Sequence, residues 1–229
     1  MTTTDPLLTR VYALIDHTDL RTDATAGDIA AAAQIAVGYG CATVCVRPAW
    51  VPLAVQVTAG SATGVTTVVG FPSGTALAAD KAAETRQAVD AGADEIDMVL
   101  NRSLLTAREF PFVYADVAAV RAAAGDRVLK VILESAALTD REVIMACTVA
   151  AAAGADFVKT STGFDPAGGA SAHAVRLMRD TVPLLGVKAS GGIRTLADIQ
   201  VMVAAGATRI GMSATAHLDD PAAPGPTGY

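Results

Sequence analysis

Ala155-Asp-Phe-Val-Lys159-Thr-Ser-Thr-Gly163 is a short apolar run closed by a lysine and followed by small polar residues and a glycine. It comes straight after Ala153-Gly154, where a helix ends and a strand begins, so Lys159 falls at the C-terminal end of a strand. In a parallel barrel that rim is where chemistry is built. Further along, Gly186-Val-Lys188-Ala-Ser-Gly-Gly-Ile-Arg194 puts a second lysine at a strand end, ahead of a glycine pair. One buried ammonium beside another lowers its pKa and frees the neutral amine that a Schiff base needs. Lys159 is the candidate nucleophile.

The handover from helix to strand recurs. Ala-Gly-Ala followed by Asp or Thr stands at 91–94, 153–156 and 205–208, and Gly40-Cys-Ala-Thr43 is a looser copy. Working outward from these units predicts strands ending near 15–18 and spanning 42–46, 65–69, 94–100, 128–133, 155–159, 184–188 and 209–212. A lead-in helix over 7–14 precedes them. Between them the predicted helices run from a Thr25-Ala-Gly-Asp28 capping box to Gly38 or Gly40, then over 48–58, 75–91 and 109–124. Three more follow, one from a Thr139-Asp-Arg-Glu142 capping box and the others over 171–179 and 195–205. Leu77, Ala82, Thr85 and Val89 lie on or near one face of the 75–91 helix, and 101–106 reads as a short connection. Eight strands alternating with helices predict a closed TM-type (β/α)8 architecture, the TIM barrel, as one α/β domain over 1–212. Residues 213–229 are expected to form a short C-terminal segment and a flexible tail, its Pro221-Ala-Ala-Pro-Gly-Pro-Thr-Gly-Tyr229 read as an extended strap. An open doubly wound sheet would want Gly-x-Gly-x-x-Gly after an early strand, and the sequence has none.

Composition agrees with this class. The 229 residues suit one barrel domain, and with 52% hydrophobic and only 4% aromatic residues the chain favours alanine-rich helices packed on a sheet. A net charge of −6 and the lack of any Lys/Arg run exclude a nucleic-acid footprint. The N-terminus lacks the basic and apolar regions of a signal peptide, and no apolar run reaches membrane-spanning length, so a cytoplasmic protein with no membrane partner is expected. Cys41, Cys45 and Cys147 are odd in number and lack paired metal spacing; reduced, packed thiols are the expectation. His17, His173 and His217 fall in a rim segment, an outer helix and the tail, so no metal and no cofactor are expected.

Strand alternation puts Phe157 and Lys159 on one face of their strand and Gly186 and Lys188 on one face of the next, which points both lysines into the barrel mouth. Asp97, amid apolar neighbours in Asp94-Glu-Ile-Asp-Met-Val99, joins them from across the rim. Either lysine alone reads first as a snorkelling surface cation in an ordinary salt bridge. Two cations with one carboxylate in an apolar shell instead form a set with displaced pKa values, the mark of a functional site. Asp16 and Lys130 extend the polar set or form structural charge pairs.

With these motifs on the page, the chain resembles the deoxyribose-phosphate aldolases, a class I aldolase family. The similarity runs through Leu14-Ile-Asp-His-Thr18, Asp94-Glu-Ile-Asp-Met-Val99, Leu129-Lys-Val-Ile-Leu-Glu134, Phe157-Val-Lys-Thr-Ser-Thr-Gly163 and Val187-Lys-Ala-Ser-Gly-Gly-Ile-Arg194. The resemblance implies that Lys159 forms the Schiff base, that Lys188 lowers its pKa and that Asp97 relays protons through water. It implies small aldehydes and sugar phosphates as substrates, with 2-deoxyribose 5-phosphate split into glyceraldehyde 3-phosphate and acetaldehyde, and a homodimer or higher oligomer. It also implies that Tyr229 folds into the site to move the methyl proton of the enamine.

Asp16, Thr18, Lys130 and Thr160 are the substrate-binding candidates beside the lysines. The phosphate end is expected in the loops after the last strands, at Gly163, Gly191, Gly192, Gly211 and Ser213, with Arg194 adding charge. Singly, each glycine reads as a tight turn. Two departures from the family stand here: Phe164 where some members have lysine, and Ala214 where some have a second serine. The rival outside enzymology is a catalytically silent barrel that binds sugar phosphates, which would need neither both lysines nor Asp97.

Overall fold

The computed structural model describes residues 10–219. Eight parallel strands close into one barrel in sequence order: β1 Ile15–Asp19, β2 Thr43–Val46, β3 Gly64–Val69, β4 Glu95–Val99, β5 Val128–Ile132, β6 Phe157–Lys159, β7 Gly186–Ser190 and β8 Arg209–Met212. Around them, in chain order, lie α1 Ala26–Tyr39, α2 Val51–Thr58, α3 Ala78–Asp90, α4 Arg102–Thr106, α5 Phe110–Ala124, α6 Asp140–Ala152, α7 Ala172–Thr181 and α8 Leu196–Ala204. The expected barrel is therefore the observed fold.

The repeated Ala-Gly-Ala-Asp/Thr phrase has a physical cause at each position. Gly92, Gly154 and Gly206 take φ of +101°, +87° and +112°, which an L side chain resists. The alanine after each glycine donates its N–H back to a helix carbonyl, as Ala155 does to Ala150 at 3.0 Å. The fourth residue then grips the preceding strand twice. Asp156 N–H donates to Leu129 O at 2.9 Å, and its carboxylate accepts from Leu129 N–H at 2.8 Å. Asp94 does the same with Val65, and Thr208 with Val187 through its hydroxyl. Register is thus set at the bottom of three strands by one recurring residue position.

Both capping boxes form as expected: Thr25 with Asp28 opens α1, and Thr139 with Glu142 opens α6. A third, Thr195 with Asp198, opens α8. Some boundaries differ from expectation. Leu77 is 72% exposed and only caps α3, because the chain turns tightly at Gly74, whose N–H donates to Gly70 O, before the helix begins. Leu184 is 96% exposed in the turn before β7, which begins at Gly186. The connection at 101–106 holds the short helix α4, capped by the Asn101 side chain.

The two faces of the strands carry different chemistry. Outward residues such as Ile15, Val44, Val65, Ile96, Leu129, Val158, Val187 and Ile210 make one continuous apolar core with the helices. Inward positions are largely polar: Asp16, Thr43, Thr66, Glu95, Asp97, Lys130, Lys159, Lys188 and Arg209. Folding is driven by the outer layer, leaving the barrel interior to hold charges.

Candidate active site

Lys159 and Lys188 are Cα partners on adjacent strands β6 and β7, so their side chains enter the barrel side by side. Both reach across to β4. Each Nζ donates to the same Asp97 oxygen, Oδ2, at 2.8 Å, while Lys130 Nζ donates to Oδ1 at 2.7 Å. Lys188 also donates to Asp16 Oδ2, and Asp16 Oδ1 accepts from Arg209 Nη1 at 2.6 Å. Glu95 closes the lower layer, paired with Lys130 at 2.6 Å and with Arg209 at 3.0 Å. Lys159, Lys188 and Asp97 meet as expected, and Asp16 and Lys130 join them in a single network.

Burial gives this network its character. Asp16, Asp97, Lys130 and Lys188 are fully enclosed, and Lys159 is 3% exposed. Three carboxylates, Asp16, Glu95 and Asp97, face four cations, Lys130, Lys159, Lys188 and Arg209. One positive charge is in excess, and an unbalanced buried charge is costly. Loss of the Lys159 proton balances the set.

The pKa directions divide the same way. Burial is the largest influence on Lys159 and lowers its pKa; Asp97 opposes it, and repulsion from Lys188 adds to it. Burial also works against the Lys188 ammonium, but Asp16 and Asp97 together outweigh it and hold the pKa above an ordinary lysine's. Lys130 follows Lys188, raised by Asp97 and Asp16 against burial. Burial would raise the Asp97 carboxyl, yet Lys130, Lys159 and Lys188 draw it well below the usual range, and Asp16 is drawn down likewise by Lys188, Lys130 and Arg209. Lys159 is the amine readied to lose its proton, and Lys188 the one that stays charged.

Glycine makes room for these stems. A Cβ on Gly211 would stand 3.2 Å from Lys188 Cε, and one on Gly186 would overlap the Phe157 ring at 2.1 Å. Phe157 in turn lies under the Arg209 guanidinium, 5.5 Å from ring centroid to Cζ, at the base of the charge network. On the opposite wall Cys45 and Val68 point inward and pack with Leu20 and Phe71 into a small apolar patch. Burial pushes the Cys45 thiol up, away from the reactive thiolate.

The other candidates are spread around the mouth. Thr18 is buried and donates to Asp16 O at 2.8 Å. Thr160 spends its hydroxyl on the Ser190 backbone, donating to the carbonyl and accepting from the N–H at 3.1 Å each, which ties β6 to β7. Gly163, Gly191 and Gly192 turn with φ between +81° and +88°. Arg194 is exposed and Ser213 half-buried. Phe164, 39% exposed, meets Phe71 edge-on at 5.2 Å. Tyr229 lies outside the described residues. His17 Nδ1 is 2.8 Å from Thr215 Oγ1, and His173 faces Asp140 on the surface. Among the described residues no group of His, Cys, Asp or Glu is clustered to hold a metal, and no helix is long and apolar enough to cross a membrane.

Sequence reasoning missed Arg209 and Glu95. Both had a signal: Glu95 lies two residues before Asp97 on the same strand face, and Arg209 opens the strand beside Lys188.

Comparison with known proteins agrees with this geometry. The family model described as DeoC/LacD family aldolase matches residues 10–215. The deoxyribose-phosphate aldolase of Nocardia farcinica (strain IFM 10152) is 52% identical over 219 residues, covering 94% of this chain and 96% of that protein. The deoxyribose-phosphate aldolase 1 of Cutibacterium acnes (strain DSM 16379 / KPA171202) is 54% identical over 209 residues, 91% and 96% of the two chains. Among solved structures, the tetrameric deoxyribose phosphate aldolase from Aeropyrum pernix superposes with a TM-score of 0.83 at 32% identity, covering 91% of this chain and 89% of that one. A closed parallel barrel, a paired-lysine site and half-identical relatives over nearly the full length place this chain in the DeoC/LacD aldolase family, among the deoxyribose-phosphate aldolases.

Proposed function

We infer that the chain is a class I aldolase that reversibly cleaves 2-deoxy-D-ribose 5-phosphate to D-glyceraldehyde 3-phosphate and acetaldehyde. The observation that carries this reading is the shared Asp97 oxygen, 2.8 Å from both Lys159 Nζ and Lys188 Nζ, in an enclosed network with one cation too many. Neutral Lys159 attacks the C1 aldehyde of the open-chain sugar and, with loss of water, gives a protonated imine that serves as electron sink. Asp97, directly or through a water, takes the proton of the C3 hydroxyl. The C2–C3 bond then breaks: C3 becomes the aldehyde carbon of glyceraldehyde 3-phosphate, and the bonding pair stays on C2 as an enamine. Protonation at C2 and hydrolysis release acetaldehyde and restore the amine.

Lys188, held charged by Asp16 and Asp97, keeps the Lys159 pKa down and returns protons to the bound intermediates. The glycine loops at 163, 191–192 and 211 receive the phosphate, with Arg194 and Ser213 at their edge, and Asp16, Thr18, Lys130 and Thr160 shape the site beneath. Phe164 and Ala214 weaken the preference for a phosphorylated substrate. Tyr229 serves C2 proton transfer. A cytoplasmic homo-oligomer is the assembly we propose, by similarity to the tetrameric relative. The test is acetaldehyde release from 2-deoxyribose 5-phosphate: the chain turns it over, and Lys159→Leu reduces the rate by about 10³-fold or more. Turnover surviving in Lys159→Leu would exclude the Schiff-base route.

A further inference from the structure

Glu134 is an ionisable side chain buried beside the site that the reaction above does not use. It follows β5, is 3% exposed and holds a left-handed φ of +59°, a conformation that non-glycine residues rarely adopt. That turn aims its carboxylate at the loop leaving the nucleophile's strand. Thr162 N–H lies 3.2 Å from both carboxylate oxygens, and Thr162 Oγ1 donates to Oε2 at 2.5 Å. The same hydroxyl accepts from Phe164 N–H at 3.1 Å. The backbone on either side is zipped to the end of β6 and the start of that loop, Leu133 N–H to Lys159 O at 2.9 Å and Ser135 N–H to Thr160 O at 2.8 Å.

What this brace holds is a glycine cradle. Gly163 follows Thr162 at once, and the loop continues to Gly169 and Ala170, which press against the β7 exit. Ala170 N–H donates to Ser190 O at 3.0 Å and Gly191 O at 3.1 Å. A Cβ on Gly169 would lie 2.2 Å from Gly191 O, and one on Gly191 would reach 3.6 Å from Gly163 Cα. The loop is therefore fixed at one end by Glu134 and at the other by β7. A cleft of about 150 Å³ at this loop is bordered by Ser73, Arg102, Glu134, Thr162, Phe164 and Asp165.

We propose that Glu134 is a positioning residue: by gripping Thr162 it sets the place of the Gly163 backbone opposite Gly191 and Gly192, and so governs affinity for the phosphate-bearing end of the substrate without touching it. The proposal rests on the aldolase reading and on phosphate binding in those loops. Truncation at Glu134 releases Thr162 and lets the cradle spread, whereas Lys159, on a strand pinned by its own ladder, keeps its place.

Steady-state kinetics with 2-deoxyribose 5-phosphate and with unphosphorylated 2-deoxyribose separate the possibilities. Glu134→Ala raises KM for the phosphorylated sugar about tenfold, the worth of one charge-assisted hydrogen bond, with kcat and the kinetics of the unphosphorylated sugar changed by less than about twofold. Glu134→Gln, which still accepts from the Thr162 hydroxyl, restores most of the affinity. Thr162→Val, which removes that bond while leaving Glu134 in place, moves KM in the same direction by about threefold and serves if Glu134→Ala does not fold. Equal losses on both sugars, or an unchanged KM for the phosphorylated one, would overturn the proposal. Borohydride trapping of acetaldehyde on Lys159 uses no phosphate, so its failure would count against the aldolase reading and its success would leave the fault with Glu134.

Discussion

Lys159 and Lys188 are neighbours in register, share one carboxylate oxygen, and are nevertheless pushed in opposite directions. The difference is the second partner: Lys188 has Asp16 as well as Asp97, while Lys159 has Asp97 alone among the carboxylates. Replacing Lys188 by Met removes a neighbouring positive charge and leaves Asp97 to Lys159, so the Lys159 pKa rises. Since the neutral amine is the reactive form, the acid limb of the kcat/KM profile moves to higher pH, and kcat falls by about 10²-fold with the loss of the proton donor. A pH–rate profile whose acid limb stays put in Lys188→Met would refute this division of labour. The pair was legible in the sequence because each lysine closes a short apolar run ahead of glycine. Glu134 was not: it lay inside a recognised motif, but only the left-handed turn reveals where its carboxylate points.

At the scale of elements, the recurring Ala-Gly-Ala-Asp/Thr unit joins a helix to its strand at three places. Its acidic residue is a hydrogen-bond acceptor for the preceding strand, which is why Thr208 can stand in for Asp. Asp156 is about half-exposed, and its carboxylate also meets Arg121 at 2.8 Å. Asp156→Ala should cost about 1 kcal/mol in urea unfolding, with Asp156→Asn recovering most of it and the aldolase rate unchanged. A loss as large in Asp156→Asn as in Asp156→Ala would assign the effect to the ion pair with Arg121 instead. The number of strands followed from counting the wider helix, glycine cap and strand repeat along the chain. Boundaries at Leu77 and Leu184 did not, because hydrophobicity alone cannot tell a buried leucine from one stranded in a turn; the tight turn at Gly74 settles the first.

For the whole molecule, closure of the barrel brings its ends together. His17 on β1 contacts Thr215, and Tyr12 donates to Asp219, both in the segment after β8. Burial lowers the His17 pKa to about 4, Asp19 opposing it. An unfolded histidine titrates near 6.5, so between pH 6.5 and 4 the unfolded chain binds a proton that the folded chain refuses. Stability is thus full above this window and falls as pH drops through it, by at most about 3 kcal/mol from this residue. Urea unfolding at pH 7 and pH 4.5 checks this: His17→Gln should lose less stability on acidification than the parent, and equal losses would exclude His17 as the source. Strand alternation pointed the two lysines into the barrel mouth, but that the interior beneath them is charged, and how those charges count, required the register.

The central claim is that Lys159 is the amine that loses its proton and bonds to substrate carbon. Incubation with acetaldehyde, borohydride reduction and peptide mass mapping test it most directly. The account predicts a reduced adduct on Lys159 and none on Lys130 or Lys188. An adduct on either of those lysines instead, or no adduct in protein shown to be folded, would contradict it.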